Sequence, residues 1–133
     1  MIRAVFLDFD GTLFSHSSGR IPDSTIKALR LLKEKGILTF ICTGRSFPEL
    51  REFDLHDLPF SGKILLNGQL IFDENDRIVY QRNIEDPLKE KIVTAFKEKQ
   101  IPIFLSVADR NFLNYADENV MAIQQEISSD PPH

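Results

Sequence analysis

The sequence predicts an α/β fold over its first half and an antiparallel α+β module over its second. Three observations predict this. Apolar runs and amphipathic stretches alternate as strand, helix, strand, helix, strand through residue 68. Right-handed crossovers turn such a chain into a parallel sheet with helices packed on it. The apolar runs lack polar alternation, as suits strands of a parallel sheet covered by crossover helices. After Gly68 the pattern changes to short strands paired around turn residues.

Residues 4–9 form the opening strand, with Phe6, Leu7 and Phe9 expected to hold it in the core. Asp8 and Asp10 interrupt this run just before the turn residue Gly11. Residues two apart on a strand face the same way, so the two carboxylates stand together where the strand ends. Close carboxylates resist joint ionisation unless a cation or a proton sits between them. The pair therefore suits a hard metal and phosphoryl chemistry, against the plainer reading of Asp and Gly as ordinary turn residues.

Residues 13–22, with Ser15, Ser17, Ser18, Gly19 and Pro22, read as a loop. A helix follows: Asp23 or Ser24 is the expected cap, Ile26, Leu29 and Leu32 share a face, and Gly36 stops it. Residues 37–42 form the second strand, closed by Thr43-Gly44-Arg45, and Ser46 caps a short helix to about residue 53. Residues 63–67 form the third strand, ending at Asn67-Gly68. Chemistry on such a sheet belongs at the carboxyl ends of the strands. The acidic pair, Thr43-Gly44 and Asn67-Gly68 all fall there.

The second half begins with strands over 69–73 and 77–82 flanking the acidic turn 74–76. The next helix carries Asp86 as cap, Pro87 at its first position, and Leu88, Ile92, Ala95 and Phe96 on one stripe. Residues 102–107 and 111–115 form another strand pair. Asp117 or Glu118 opens a last helix to about residue 126, and Ser128-Ser129-Asp130-Pro131-Pro132-His133 ends the sequence. The module boundary is placed near residue 68, giving modules over 1–68 and 69–133.

Composition narrows the function classes. With 133 residues, 42% hydrophobic and 27% charged, the chain has a globular composition. Its net charge of -4 gives no electrostatic footing for nucleic acid. No apolar run approaches the roughly 18 residues of a membrane helix. One cysteine, Cys42, forms no internal disulfide, so a cytoplasmic location is the expectation. Cys42 itself reads as a small buried filler. His16 and His56 read as solvated loop residues without ligand-spaced partners. Phe14 and Phe47, near strand ends, are candidates for a pocket wall, while Phe104, Phe112 and Tyr115 are either cap core or substrate contacts.

Asp8-Phe9-Asp10-Gly11-Thr12 after an apolar strand resembles the first motif of the haloacid dehalogenase superfamily, and Thr43-Gly44-Arg45 resembles its second. Leu66-Asn67-Gly68 followed by a hairpin resembles the Cof-type subfamily, whose cap is inserted after the third strand. The resemblance covers essentially the whole chain. It implies a three-layer Rossmann-like core, here with an incomplete parallel sheet, plus an α+β cap module. It implies a magnesium-dependent phosphatase of small phosphorylated metabolites. Asp8 would be the nucleophile and Asp10 the general acid and base. Magnesium would take an Asp8 oxygen and the Asp10 main-chain carbonyl, with waters completing an octahedron. Thr43 and the Gly44 N–H would hold phosphate oxygens, and Thr12 would brace the turn. Arg45 and Asn67 would neighbour phosphate or substrate. Thr43 as a plain strand-ending hydroxyl and Arg45 as an outward helix-start residue are the alternatives.

The family also uses a lysine and a later Gly-Asp motif after the cap. Lys63 enters its strand too early to match, and Asp117-Glu118-Asn119 follows Ala116 rather than Gly. The expectation is an N-terminal half of a longer protein, or a chain needing a complementing chain or oligomer. Without strands from a second half, the first strand becomes an exposed sheet edge. Two other readings stand beside the enzyme: a non-catalytic phosphate- or partner-binding remnant, and a phospho-receiver domain. The receiver needs an Asp at the end of the third strand, where this chain has Asn67.

Overall fold

The computed structural model describes residues 1–99 and 101–127, with side chains described to residue 123. The stretch Ser128-Ser129-Asp130-Pro131-Pro132-His133 lies outside the described residues. The chain divides into two compact units, Met1–Arg82 and Asn83–His133.

The first unit is built on one five-stranded sheet in the order β1 (Ala4–Asp8), β2 (Leu38–Cys42), β3 (Gly62–Leu65), β4 (Leu70–Asp73), β5 (Ile78–Gln81). β1, β2 and β3 run parallel, with Asp8 opposite Cys42 and Cys42 opposite Ile64. At residue 68 the direction reverses, and β4 and β5 continue the same sheet antiparallel. The hairpin is thus hydrogen-bonded into the first unit, which is why that unit runs past residue 68 to Arg82.

Helix α1 (Asp23–Glu34) links β1 to β2, and the four-residue α2 (Phe47–Leu50) lies between β2 and β3. Pro22, rather than Asp23 or Ser24, is the N-cap of α1, and Asp23 instead pairs with Arg20 at 3.2 Å. The α1 stop is as expected. Gly36 has φ +68°, the Gly36 N–H bonds Lys33 O, and the Ile37 N–H bonds Leu32 O, a pairing that satisfies the last carbonyls. α2 ends earlier than the sequence predicts, although Ser46 caps it as expected, exchanging hydrogen bonds with Glu49.

Both crossovers place their helices on one face of the sheet. That face carries Phe9, Thr39, Ile41, Leu65, Leu70 and Phe72, all buried, and Leu13, Leu29 and Leu50 are buried as well. The opposite face carries Phe6, stacked on Phe40 at 5.0 Å. Phe6 is not a core residue: it is 59% exposed. Continuous apolar sequence marks a strand without saying how much of it this unit covers. β1 is also the edge strand of the sheet.

The second unit holds α3 (Asp86–Glu98), the strand pair β6 (Phe104–Ser106) and β7 (Asn111–Leu113), and α4 (Glu118–Ile127). Glu85 rather than Asp86 is the α3 N-cap. Asp117 caps α4 by accepting from the Val120 N–H at 2.9 Å. Asn114 ties the unit together: its carbonyl accepts from the Ile103 and Tyr115 N–H groups, and its amide donates to Phe96 O and Ile101 O.

Candidate active site

The strand ends of β1, β2 and β3 converge. β1 turns sharply at Gly11, whose φ of +74° suits glycine. The turn is held by main chain: Leu13 N–H reaches Phe9 O at 3.0 Å, Phe14 N–H reaches Phe9 O at 2.8 Å, and Gly11 N–H reaches Phe14 O at 2.9 Å. Leu13 and Phe14 then plug into the core, so Phe14 is a buried support rather than a pocket wall. Thr12 is exposed, and its hydroxyl has no hydrogen-bond partner among the described residues; the bracing comes from its neighbours' amides.

Asp8 is exposed, and its carboxylate accepts no hydrogen bond among the described residues. It lies beside Cys42, whose thiol is pushed up by burial and then by the Asp8 charge, away from reactive thiolate. Asp10 is in the opposite situation. Arg45 grips it with two bonds, Nε to Oδ2 and a terminal nitrogen to Oδ1, both at 2.8 Å. His16 Nε2 approaches Oδ1 at 3.1 Å. The Arg45 hydrogen bond holds the Asp10 carboxyl below the usual carboxylate range despite partial burial. The same bond raises Arg45.

The structure decides one placement the sequence left open and changes another. Arg45 does not point outward: its side chain is 8% exposed and turned onto Asp10. His16 is exposed but pairs with a carboxylate six positions back, a contact that loop geometry creates and spacing rules do not reveal.

Thr43 is buried, and its hydroxyl oxygen accepts the Arg45 N–H at 3.1 Å. Its own O–H hydrogen has no acceptor among the described residues, and neither has the Gly44 N–H. Two donors therefore stand ready at the end of β2. Asn67 is carried to the same place by a left-handed turn, with positive φ at Leu66 (50°), Asn67 (54°) and Gly68 (91°). Asn accepts this region and leucine resists it, so the turn stores strain of about 1–2 kcal/mol at Leu66. The Asn67 N–H bonds Thr43 O at 3.2 Å. A methyl group on Gly44 would come within 3.3 Å of Asn67 Oδ1. No sequence signal foretold the Leu66 conformation.

Oxygen donors for a hard cation are the Asp8 carboxylate and the Asp10 main-chain carbonyl, which accepts no hydrogen bond among the described residues. No cluster of three or more His, Cys, Asp or Glu able to hold a metal occurs among the described residues. The donor set fits an ion that keeps most of its water, as magnesium does. A separate cavity of about 790 Å³, lined in part by Phe47, Arg51, Phe53, Lys63 and Asp76, includes neither aspartate of the site.

A family description of haloacid dehalogenase-like hydrolases matches residues 5–132. Among curated relatives, phosphoglycolate phosphatase 1 of Saccharolobus solfataricus is 37% identical over 73 residues, covering 54% of this chain and 32% of that protein. Among solved structures, a phosphatase of the haloalkanoate (HAD) enzyme superfamily from Bacteroides thetaiotaomicron superposes with a TM-score of 0.78 at 28% identity, covering 99% of this chain and 49% of that one. A HAD subclass IIB sugar phosphatase superposes at 0.71 with 32% identity, covering 93% of this chain and 48% of that one. The chain thus spans about half the length of these solved structures.

Proposed function

The chain belongs to the haloacid dehalogenase-like hydrolases, and on that premise we propose that it carries the nucleophile and phosphate cradle of a magnesium-dependent phosphomonoesterase acting on a small phosphorylated metabolite. The observation that carries this reading is the pairing of an unbonded Asp8 carboxylate with the ready donors of Thr43 and Gly44 at neighbouring strand ends.

In this reading Asp8 attacks phosphorus, the ester P–O bond breaks, and the leaving oxygen takes a proton from Asp10. Water then attacks the aspartyl phosphate, its proton passes to the Asp10 carboxylate, and inorganic phosphate leaves Asp8. The Thr43 O–H and Gly44 N–H donate to the non-bridging oxygens as charge builds there. The Asp8 carboxylate and the Asp10 carbonyl would hold magnesium, which would supply charge neutralisation for the phosphoryl group. Arg45 keeps Asp10 ionised at rest; an incoming phosphate competes for Arg45 and raises the proton affinity of Asp10. A lysine cation and a further acidic motif of the family have no counterpart at these strand ends among the described residues. Turnover is therefore proposed to draw them from outside the described residues, in the same polypeptide or in a complementing chain. Of the cap module expected over 69–133, the β4–β5 hairpin continues the core sheet, and the unit from Asn83 onward is assigned to the cap, which selects substrate.

The reading is tested with magnesium and beryllium fluoride, which mimics an aspartyl phosphate. A bound fluorine resonance in the wild-type protein, absent in Asp8→Asn, is expected; no bound signal in the wild type refutes the nucleophile. Release of p-nitrophenol from p-nitrophenyl phosphate separates an enzyme from a binding remnant. A receiver domain is disfavoured by Asn67, which stands where that class needs a carboxylate.

A further inference from the structure

Arg45 can grip Asp10 in one plane only, because both bonds use the edge of a planar guanidinium. The Arg45 guanidinium lies 5.0 Å from the ring centre of Phe53 and 5.8 Å from that of Phe9. Phe53 in turn meets Phe9 and Phe14 edge-on, each at 4.8 Å. Phe14 supports His16 edge-on at 5.3 Å. Both polar partners of Asp10 thus rest on one aromatic group. Phe9 and Phe14 belong to the buried core, whereas Phe53 is half-buried and comes from the loop after α2.

We infer that Phe53 is a positioning residue for Asp10, acting through Arg45 by holding the guanidinium plane edge-on to the Asp10 carboxylate. Stacking on an aromatic face removes rotamer freedom that a long arginine side chain otherwise keeps. The inference rests on the proton-transfer role proposed for Asp10, but its geometric part is measurable without turnover.

The experiment compares the whole wild-type protein with Phe53→Leu, Phe53→Met and Phe53→Tyr. The first readout is solvent exchange of the Arg45 Nε–H, assigned by its loss in Arg45→Lys. The ringless variants are expected to speed exchange by about tenfold, the equivalent of 1.4 kcal/mol, while tyrosine retains protection. The second readout is turnover of p-nitrophenyl phosphate with magnesium: kcat falls in Leu and Met at nearly unchanged KM, and tyrosine restores it. Thermal unfolding identifies a ringless variant that is unfolded, and the other then decides. Unchanged Arg45 exchange in a folded ringless variant overturns the inference. Wild-type protein that protects Arg45 yet neither hydrolyses the ester nor gives a bound beryllium fluoride signal overturns the proposed function instead, and the exchange comparison still decides the role of Phe53.

Discussion

Removing the Arg45–Asp10 pair offers a quantitative test of the site geometry. The perturbation is a double-mutant cycle of Arg45→Met, Asp10→Asn and the combination. Arg45 is nearly buried, but the Asp10 side chain is 34% exposed, so water takes over part of the bonding when Arg45 is lost. Hydrogen bonds to charged groups contribute about 1.5–3 kcal/mol each when shielded, while an exposed ion pair contributes about 0.2–1. Two bonds sharing one half-hydrated acceptor place the coupling near 2 kcal/mol, about a thirtyfold change in the unfolding constant. The assay is urea unfolding followed by circular dichroism, with all four proteins at pH 7 and again in acid. Because Arg45 lowers the Asp10 pKa, the coupling is fully present above the ordinary aspartate value of about 4 and is lost as pH falls through the lower folded value. A coupling below about 0.5 kcal/mol at pH 7 would place the pair among ordinary surface contacts and refute the clamp. A coupling that persists undiminished in strong acid would show that it is not electrostatic.

Gly44→Ala should leave stability within about 1 kcal/mol, since the new methyl meets a side-chain amide rather than backbone. It should shift Asn67 and weaken inorganic phosphate binding, read by phosphorus NMR titration; unaltered affinity would remove Gly44 from the cradle. Asn114→Ala should destabilise the second unit by about 2–3 kcal/mol, because four backbone groups lose their partner at once. Amide exchange over residues 101–115 should then accelerate while that of β1–β3 is unaffected, and uniform acceleration would show that the two units unfold together.

Asp8, Asp10, Thr43, Gly44 and Asn67 were legible as strand endings. Those readings needed only period, composition and turn chemistry, which act within a few residues. Helix caps were less legible: Pro22 and Glu85 take the cap positions, and Asp23 and Asp86 lie one residue inside. Several residues near a helix start can satisfy the same rule, and packing chooses between them.

By itself, then, the sequence determined the order of elements, the strand endings and the change of pattern at residue 68, because hydrophobic periodicity and glycine turns are local properties. Only the tertiary structure decided that Arg45 turns inward onto Asp10, that His16 joins it, that Phe53 lies beneath them and that Phe6 faces out. Each of those outcomes depends on residues brought together from separate loops and strands, whose juxtaposition is set by how the strand ends and their loops pack.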